Sequence, residues 1–205
     1  MNELFETKPQ VIKSIQNSDK DVLVAVKTMF LNGENFDLDP TYSIGNFYKD
    51  IPKPKYCSDF LPIDESILKA DAKRLFFLND NEIKSIVFDP PFMFEKRHRE
   101  NLNIMKQRFS MFHGGFEELE QMYKGALKEF YRVLKDDGIV AFKCQDYTDS
   151  RTTLTHCFVH NWAIEIGFKI EDLFIMAFKG GRVWNSNLTQ KHARKYHSYW
   201  IILRK

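Results

Sequence analysis

The sequence lacks most of the features that mark membrane, secreted or metal-binding proteins. No run of apolar residues approaches the ~20 that a membrane-spanning helix needs, and the start, MNELFETKPQ, has neither a basic nor an apolar signal segment. The three cysteines are few and widely spaced, which argues against a disulfide framework and favours a reducing compartment. The six histidines show no metal-ligand spacing. These absences predict a cytoplasmic protein without a bound metal.

The net charge is also small, but its positive part is unevenly distributed. The chain of 205 residues carries a formal charge of +2, and Lys and Arg concentrate in residues 95–108 and 190–197. Clustered basic residues can track the phosphates of a nucleic acid. Solvated loops have the same composition, and charge alone favours that interpretation. The length predicts one domain with one sizeable core, residues 1–205.

Helical and extended patterns alternate along the chain. Helices are predicted at 19–31, 116–135 and 152–168, and strands at 36–42, 55–60, 67–71, 82–89, 138–144, 170–178 and 197–204. The first helix is expected to pack through Leu23, Val24, Val26, the stem of Lys27 and Phe30, and the third to be closed by Gly167. Such alternation indicates a parallel sheet covered by helices on both faces. The two successive strands at the end predict an antiparallel hairpin at one edge. We therefore predict an α/β three-layer sandwich with a mostly parallel, seven-stranded sheet and an antiparallel C-terminal strand.

An aspartate closes four of the predicted strands. These residues are Asp39, Asp59, Asp71 and Asp89. Parallel strands present their carboxyl ends at one edge, where open α/β sheets bind ligands. Carboxylates there can accept hydrogen bonds from ribose hydroxyls and adenine amino groups. After Asp39, the segment TYSIGNFY contains Ser43 and Gly45, which permit a tight turn close to a ligand. A turn with one glycine is also common where no ligand binds.

The most specific feature is FDPPF at residues 88–92. By composition, Asp-Pro-Pro-aromatic is expected on the order of 0.003 times in a chain of this length. Adjacent prolines cannot continue a sheet ladder, and their fixed φ holds the carbonyls rigidly. The structural interpretation is a strand-ending turn. The chemical interpretation is a carboxylate, a fixed carbonyl and a flat ring that act together.

With its neighbours, FDPPF resembles the catalytic motif of a known enzyme family. TYSIGNFY, SDF, KAD, FDPPF, KCQD and QKHARKYHSY are similar, in order and spacing, to compact DNA-methylase-like proteins of phages and bacteria. The resemblance covers residues 39–205 and leaves an N-terminal helical extension, 1–32, outside it. It implies the Rossmann-like fold of the class I S-adenosylmethionine-dependent amino-methyltransferases, although the usual Phe-x-Gly-x-Gly loop is replaced by TYSIGNFY.

The resemblance also implies roles for individual residues. The implied catalytic motif is Asp89, Pro90, Pro91 and Phe92. The implied contacts to S-adenosylmethionine are Asp39, Thr41, Tyr42, Ser43, Gly45, Asp59 at the ribose, Asp71 near the adenine amine, and Ala72. Contacts to the substrate are expected from Lys96, Arg97 and Arg99 in the loop 93–115, and from Asp146, His192 and Arg194. For Asp146, capping of the following helix is an equally weighted alternative.

The chemistry of an exocyclic amine explains why such a motif is useful. The nitrogen is a poor nucleophile because its lone pair is delocalised into the ring. Two acceptors that take its two N–H bonds, the Asp89 carboxylate and the Pro90 carbonyl, direct the lone pair toward the sulfonium methyl. Phe92 offers a face for stacking. A base in a duplex must first flip out to reach this position.

We therefore expect a DNA methyltransferase that acts on adenine N6, with cytosine N4 as the next alternative. RNA or a protein glutamine side chain as substrate, and a cofactor-binding protein without activity, remain open behind these. Because the chain has little room for target recognition beyond the loop 93–115, we expect loose sequence specificity or a partner protein that supplies it. A homodimer is also open. The expected location is the cytoplasm of a bacterium or of a phage-infected cell.

Overall fold

The computed structural model describes residues 11–92, 115–148, 151–178 and 189–205. Its strands are β1 Ile15–Gln16, β2 Leu38–Asp39, β3 Tyr56–Asp59, β4 Leu68–Lys69, β5 Ile83–Phe88, β6 Leu134–Cys144, β7 Tyr147–Thr148, β8 Thr152–Thr153, β9 Lys169–Ala177 and β10 His197–Arg204. Its α-helices are α1 Asp19–Phe30, α2 Phe116–Val133 and α3 Thr155–Ile166, and Asn46–Tyr48 forms one 3-10 turn. None of the helices in these described ranges is long and apolar enough to cross a membrane.

Eight strands of the described residues form one sheet, in the order β1-β9-β10-β6-β5-β2-β3-β4. Strands β2 to β6 run parallel to their neighbours in that series, whereas β10 runs antiparallel to both β6 and β9. This arrangement confirms the predicted α/β fold class. The eighth strand, β1, was not predicted, and it pairs with β9 outside the C-terminal hairpin.

Helices cover both faces of the sheet, as alternating side chains on the strands require. On one face α1 packs with Val87 and Trp200, and on the other α2 and α3 pack with Phe88. The predicted core contact of Val24 is wrong, because this side chain is 43% exposed. The buried stripe of α1 consists of Val22, Leu23, Ala25 and Val26.

Two predicted boundaries move because neighbouring segments pair. Helix α3 begins at Thr155 and not at 152, since Thr152–Thr153 forms a small hairpin with Tyr147–Thr148. Strand β6 begins directly after α2, four residues before the predicted start. Its pairing with β5 shifts register between Ile83 and Ser85. The predicted end of α3 is confirmed at Gly167, whose φ of 118° suits glycine.

The connections between β2 and β5 contain no α-helix. Between β2 and β5, a stretch that the structure describes without a gap, the only helical turn is Asn46–Tyr48. This stretch contains Pro40, Pro52, Pro54 and Pro62. Prolines in a helix interior remove a hydrogen bond and clash with the preceding turn, so the local sequence favours turns. Side chains at the ends of β2, β3 and β4 are consequently held by loops.

Candidate active site

The four predicted aspartates lie along one edge of the sheet. Asp39 and Asp59 are the last residues of β2 and β3, Asp89 directly follows β5, and Asp71 lies two residues after β4. These four strands are neighbours and parallel. Their carboxyl ends therefore form the predicted ligand edge.

Asp39 stabilises the loop that follows β2 through hydrogen bonds. It is 1% exposed, and its Oδ1 accepts hydrogen bonds from the Thr41 amide and hydroxyl, at 2.8 and 3.0 Å. The Tyr48 hydroxyl donates to Oδ2 at 2.7 Å. Burial raises the pKa of Asp39 to about 7, although these hydrogen bonds act in the opposite direction. Asp39 organises the loop, and its direct contact with a cofactor stays a prediction.

The same loop turns tightly at Gly45. A Cβ at this residue would lie 2.5 Å from the Tyr42 hydroxyl, and its φ of +65° is left-handed. Tyr42 in turn stacks on Tyr48, with ring centroids 5.5 Å apart. The amide of Ser43 donates to Asp59 Oδ2 at 2.9 Å. The loop therefore links the ends of β2 and β3.

A cavity of about 430 Å³ opens beside the ends of β3 and β4. Its lining consists of Phe60, Lys69, Ala70, Asp71, Arg74 and Phe76. Exposed aromatic rings next to one carboxylate suit a flat heterocycle with an amino group, and the volume is typical of small-molecule sites. The predicted contact of Asp71 with the adenine amine of S-adenosylmethionine stays a prediction. Ala72 packs instead in the core, and its cofactor contact stays a prediction.

The backbone of FDPPF is held from two sides. The amide of Asp89 donates to Thr41 Oγ1 at 2.9 Å, which connects the motif to the loop after β2. From α2, the Tyr123 hydroxyl donates to the Pro91 carbonyl at 3.0 Å. Pro90 is buried, and Phe92 is partly exposed. The peptide that carries the proposed second acceptor is thus fixed at both ends.

The two carboxylate oxygens of Asp89 have different surroundings. Oδ2 accepts a hydrogen bond from Lys143 Nζ at 3.2 Å. Oδ1 is enclosed and has no hydrogen-bond partner among the described residues, although the side chain as a whole is 23% exposed. A buried acceptor without a partner costs about 1–3 kcal/mol and is rare in native proteins. Oδ1 is therefore a candidate contact for a substrate N–H.

Lys143 is a candidate functional residue that the sequence analysis missed. It lies on β6 directly opposite Trp200 of β10, and its side chain is only 8% exposed. Its Nζ lies 3.0 Å from Asp19 Oδ1 at the start of α1, in addition to its contact with Asp89. The signals in the sequence were its position directly after the apolar run IVAF of β6 and its place in the segment KCQD.

Opposing effects set the charge state of this group. Burial raises the pKa of Asp89, Lys143 opposes that shift, and the charge of Asp19 adds to it, so that the net shift is upward. Burial lowers the pKa of Lys143, but Asp89 and Asp19 outweigh it, and the net shift is again upward. Lys143 therefore stays a cation, while the pKa of Asp89 lies above its ordinary value.

Asp146 caps α3, which was one of its two predicted roles. Its Oδ1 accepts from the His156 amide at 3.4 Å and contacts His156 Nδ1 at 2.7 Å. The Tyr199 hydroxyl donates to Oδ2 at 3.4 Å, and the Tyr199 and His156 rings stack with centroids 4.2 Å apart. These contacts support the capping alternative, and a contact of Asp146 with the substrate stays a prediction.

The other predicted substrate contacts stay predictions, although the segment before β10 enters the sheet beside the carboxyl end of β6, where Tyr199 pairs with Cys144. His192 and Arg194 are exposed residues in the segment that precedes β10. Lys96, Arg97 and Arg99 lie outside the described residues, as does the loop 93–114. Within the described ranges no group of three His, Cys, Asp or Glu side chains is arranged to hold a metal ion.

Comparison with known proteins gives a fold but no family. No family model matches the sequence, and no curated protein does. Among solved structures, TrmN from Thermus thermophilus matches with a TM-score of 0.54 at 18% identity, over 91% of this chain and 48% of that chain. Another Thermus thermophilus protein, provisionally named a DNA modification methylase and solved with bound S-adenosylmethionine, matches with a TM-score of 0.46 at 15% identity, over 66% of this chain.

A third structure, a SAM-dependent methyltransferase from Archaeoglobus fulgidus, has a TM-score of 0.45 at 13% identity, over 92% of this chain and 95% of that chain. The chain spans about half the length of the Thermus methylase, 53% of it. Identities this low establish the fold alone. The strand order of the sheet, its antiparallel strand β10 and the match to TrmN all indicate the same fold. The chain has the Rossmann-like fold of the class I methyltransferases.

Proposed function

We propose that the protein is an S-adenosylmethionine-dependent methyltransferase whose acceptor is an exocyclic base amine in DNA, with adenine N6 as the first candidate. The proposal places the cofactor across the ends of β2, β3 and β4 and the base next to FDPPF. An exocyclic amine is the substrate that the resemblance of FDPPF implies, and the geometry of Asp89 supports this choice.

The Asp89 carboxylate is the observation that supports this proposal most directly. Its Oδ2 is bound by Lys143, while Oδ1 is enclosed without a partner among the described residues. An aspartate that only ended a strand would use both oxygens for turn or helix contacts, as Asp59 does with the amides of Ser43 and Leu61. One aligned, unused acceptor is the requirement for binding an N–H of the amine.

Different residues of this chain have different roles in the proposed reaction. Bound S-adenosylmethionine would supply the electrophilic methyl group. Asp89 Oδ1 and the Pro90 carbonyl accept the two N–H bonds of the amine, which raises electron density on its nitrogen and orients the lone pair. Tyr123 and Thr41 hold the backbone on either side, so the acceptors need little reorganisation.

Radiolabel transfer tests the proposal. Tritiated S-adenosylmethionine and unmethylated DNA are incubated with the wild type and with Asp89→Ala, and the DNA is digested to nucleosides. We expect label in N6-methyladenine and a loss of about 100-fold or more in the variant, because one acceptor in the transition state is removed.

A matched control is Asp136→Ala. Asp136 is exposed near the start of β6, at the end of the sheet opposite to Asp89, and its removal leaves the transfer rate unchanged. Label in N4-methylcytosine keeps the mechanism and changes the base. Cofactor binding without transfer to DNA contradicts the DNA assignment, and the same assay is then repeated with RNA and with protein.

A further inference from the structure

We propose that Lys143 is a positioning residue for the reaction and that Asp19, from the start of α1, sets how strongly it acts. In this arrangement Lys143 binds Asp89 Oδ2, fixes the plane of the carboxylate and leaves Oδ1 for the substrate amine. The inference rests on the proposed function, and its test includes a measurement that needs no activity.

The geometry defines one connected group of side chains around Lys143. Lys143 Nζ lies 3.0 Å from Asp19 and 3.2 Å from Asp89. Asp19 Oδ1 also accepts from the Trp200 indole at 2.9 Å. The rings of Phe47 and Trp200 flank the ammonium, with centroids at 5.1 and 5.5 Å. The ammonium is thus restrained on several sides, and so is the oxygen of Asp89 that it binds.

A purely structural explanation of Lys143 is weak. The side chain occupies a position on the face of β6 that otherwise buries Ile139 and Ala141 against α1. An apolar side chain of similar length would fill this space, and replacing buried ion pairs by apolar residues is often neutral or stabilising. Breaking the pair by removing one charge is costly. A charged residue here is therefore better explained by the carboxylate that it contacts.

The titration of Asp89 depends on every charged or titratable group that faces it. Lys143 approaches from β6 and Asp19 from α1, and the two act on its pKa in opposite directions. Asp39 on β2 and Tyr123 on α2 also interact with Asp89 electrostatically. Neither residue is changed in the variants below, so their contribution, which includes the titration of Asp39 near pH 7, is common to all the proteins compared.

Two substitutions that remove the ion pair between Lys143 and Asp19 should shift the pH dependence of the reaction rate in opposite directions. Lys143→Met removes a positive neighbour, so the pKa of Asp89 rises and the acid limb of the pH–rate profile moves to higher pH. Asp19→Asn removes a negative neighbour, so the pKa of Asp89 falls and the limb moves to lower pH. A residue that served only packing would give two changes of the same sign.

The experiment follows methyl transfer and the Asp89 carboxyl group in parallel. Single-turnover rates are recorded across the acidic and neutral pH range for the wild type and both variants, and the Asp89 carboxyl carbon signal is titrated by NMR. The signal is identified by its absence in Asp89→Ala. We expect Lys143→Met to lose about tenfold or more at acidic pH and to recover as pH rises. Asp19→Asn should be faster than the wild type at acidic pH.

The outcomes separate the two proposals. Opposite NMR shifts without transfer to any acceptor support the Lys143 contact and overturn the proposed function. Transfer by the wild type with unshifted profiles in both variants overturns the role of Lys143. If Lys143→Met does not fold, Lys143→Arg keeps the charge and alters its geometry. A loss of kcat without a change of the acid limb is expected for this variant, and an unchanged kcat contradicts the inference.

Discussion

At the scale of single residues, Thr41 connects the two halves of the candidate site. Its hydroxyl donates to Asp39 and accepts from the amide of Asp89. One side chain therefore joins the loop after β2 to the FDPPF motif after β5. Under the proposed function, a change that displaces this loop should therefore affect both the binding of the cofactor and the position of the base. Gly45 is the residue of the loop where this can be tested most directly.

Gly45→Ala should lower both stability and cofactor affinity. The added Cβ would lie 2.5 Å from the Tyr42 hydroxyl, and the residue has a left-handed φ of +65°. We expect a loss of more than about 2 kcal/mol in the free energy of unfolding, from backbone strain plus the clash. Urea unfolding measures the first quantity, and calorimetric titration with S-adenosylmethionine measures the second.

Gly33→Ala is the matched control for this experiment. Gly33 also has a positive φ, +81°, but a Cβ there would meet nothing within 4 Å. Gly33→Ala should lower the free energy of unfolding only by the backbone strain, about 1–2 kcal/mol. It should leave the affinity for S-adenosylmethionine unchanged. Equal effects of the two substitutions would show that the contact with Tyr42 has no role in the loop.

Residue types explain which parts of the site could be predicted. The acids at the strand ends were predictable, because strand ends follow from hydrophobic patterning and parallel strands share one edge. Lys143 was not, because its partner Asp89 is 54 residues away and nothing local marks the contact. The same holds for Asp19, whose bond to Trp200 spans 181 residues.

At the scale of elements, α3 depends on a side chain from the segment between β6 and β7. The residue before its first turn, Leu154, makes no side-chain cap, and Asp146 accepts from the His156 amide instead. The helix start is therefore set by tertiary contact. This explains why the sequence pattern put the start three residues too early, whereas the glycine at its end was predicted correctly.

Asp146→Ala should lower the free energy of unfolding by about 2 kcal/mol, since the contacts of Asp146 to His156 and Tyr199 are lost. Urea unfolding measures this change, with the exposed Asp136→Ala on β6 as control. If Asp146 serves only α3, the KM for DNA stays unchanged at a temperature where the variant is folded. A raised KM with unaltered stability would instead favour the substrate contact.

At the scale of the whole molecule, Asp39 makes the stability of the fold depend on pH. Its pKa rises from an ordinary value of 3.8 to about 7 in the folded state. Between these values the unfolded chain has released a proton that the folded chain retains. The unfolded state is therefore favoured progressively as pH rises, and the effect levels off above about pH 7.

Comparison with Asp39→Asn isolates this effect. Relative to the variant, the wild type should lose up to about 4 kcal/mol of unfolding free energy between about pH 4 and pH 7. Urea unfolding of both proteins at several pH values gives the difference, in which the titrating groups that do not interact with Asp39 cancel. A difference that does not change with pH would mean that Asp39 is ionised in the folded protein throughout this range.

The position of β10 has a consequence for how the protein is made. This strand lies between β6 and β9 in the sheet but is synthesised after both. Until it leaves the ribosome, β6 and β9 each present an open edge that can pair with another chain. Trp200 belongs to β10, so the hydrogen bond from its indole to Asp19 also forms only after β10 is synthesised. Until β10 is synthesised, the sheet therefore stays divided between β6 and β9, and chaperones would cover the exposed edges.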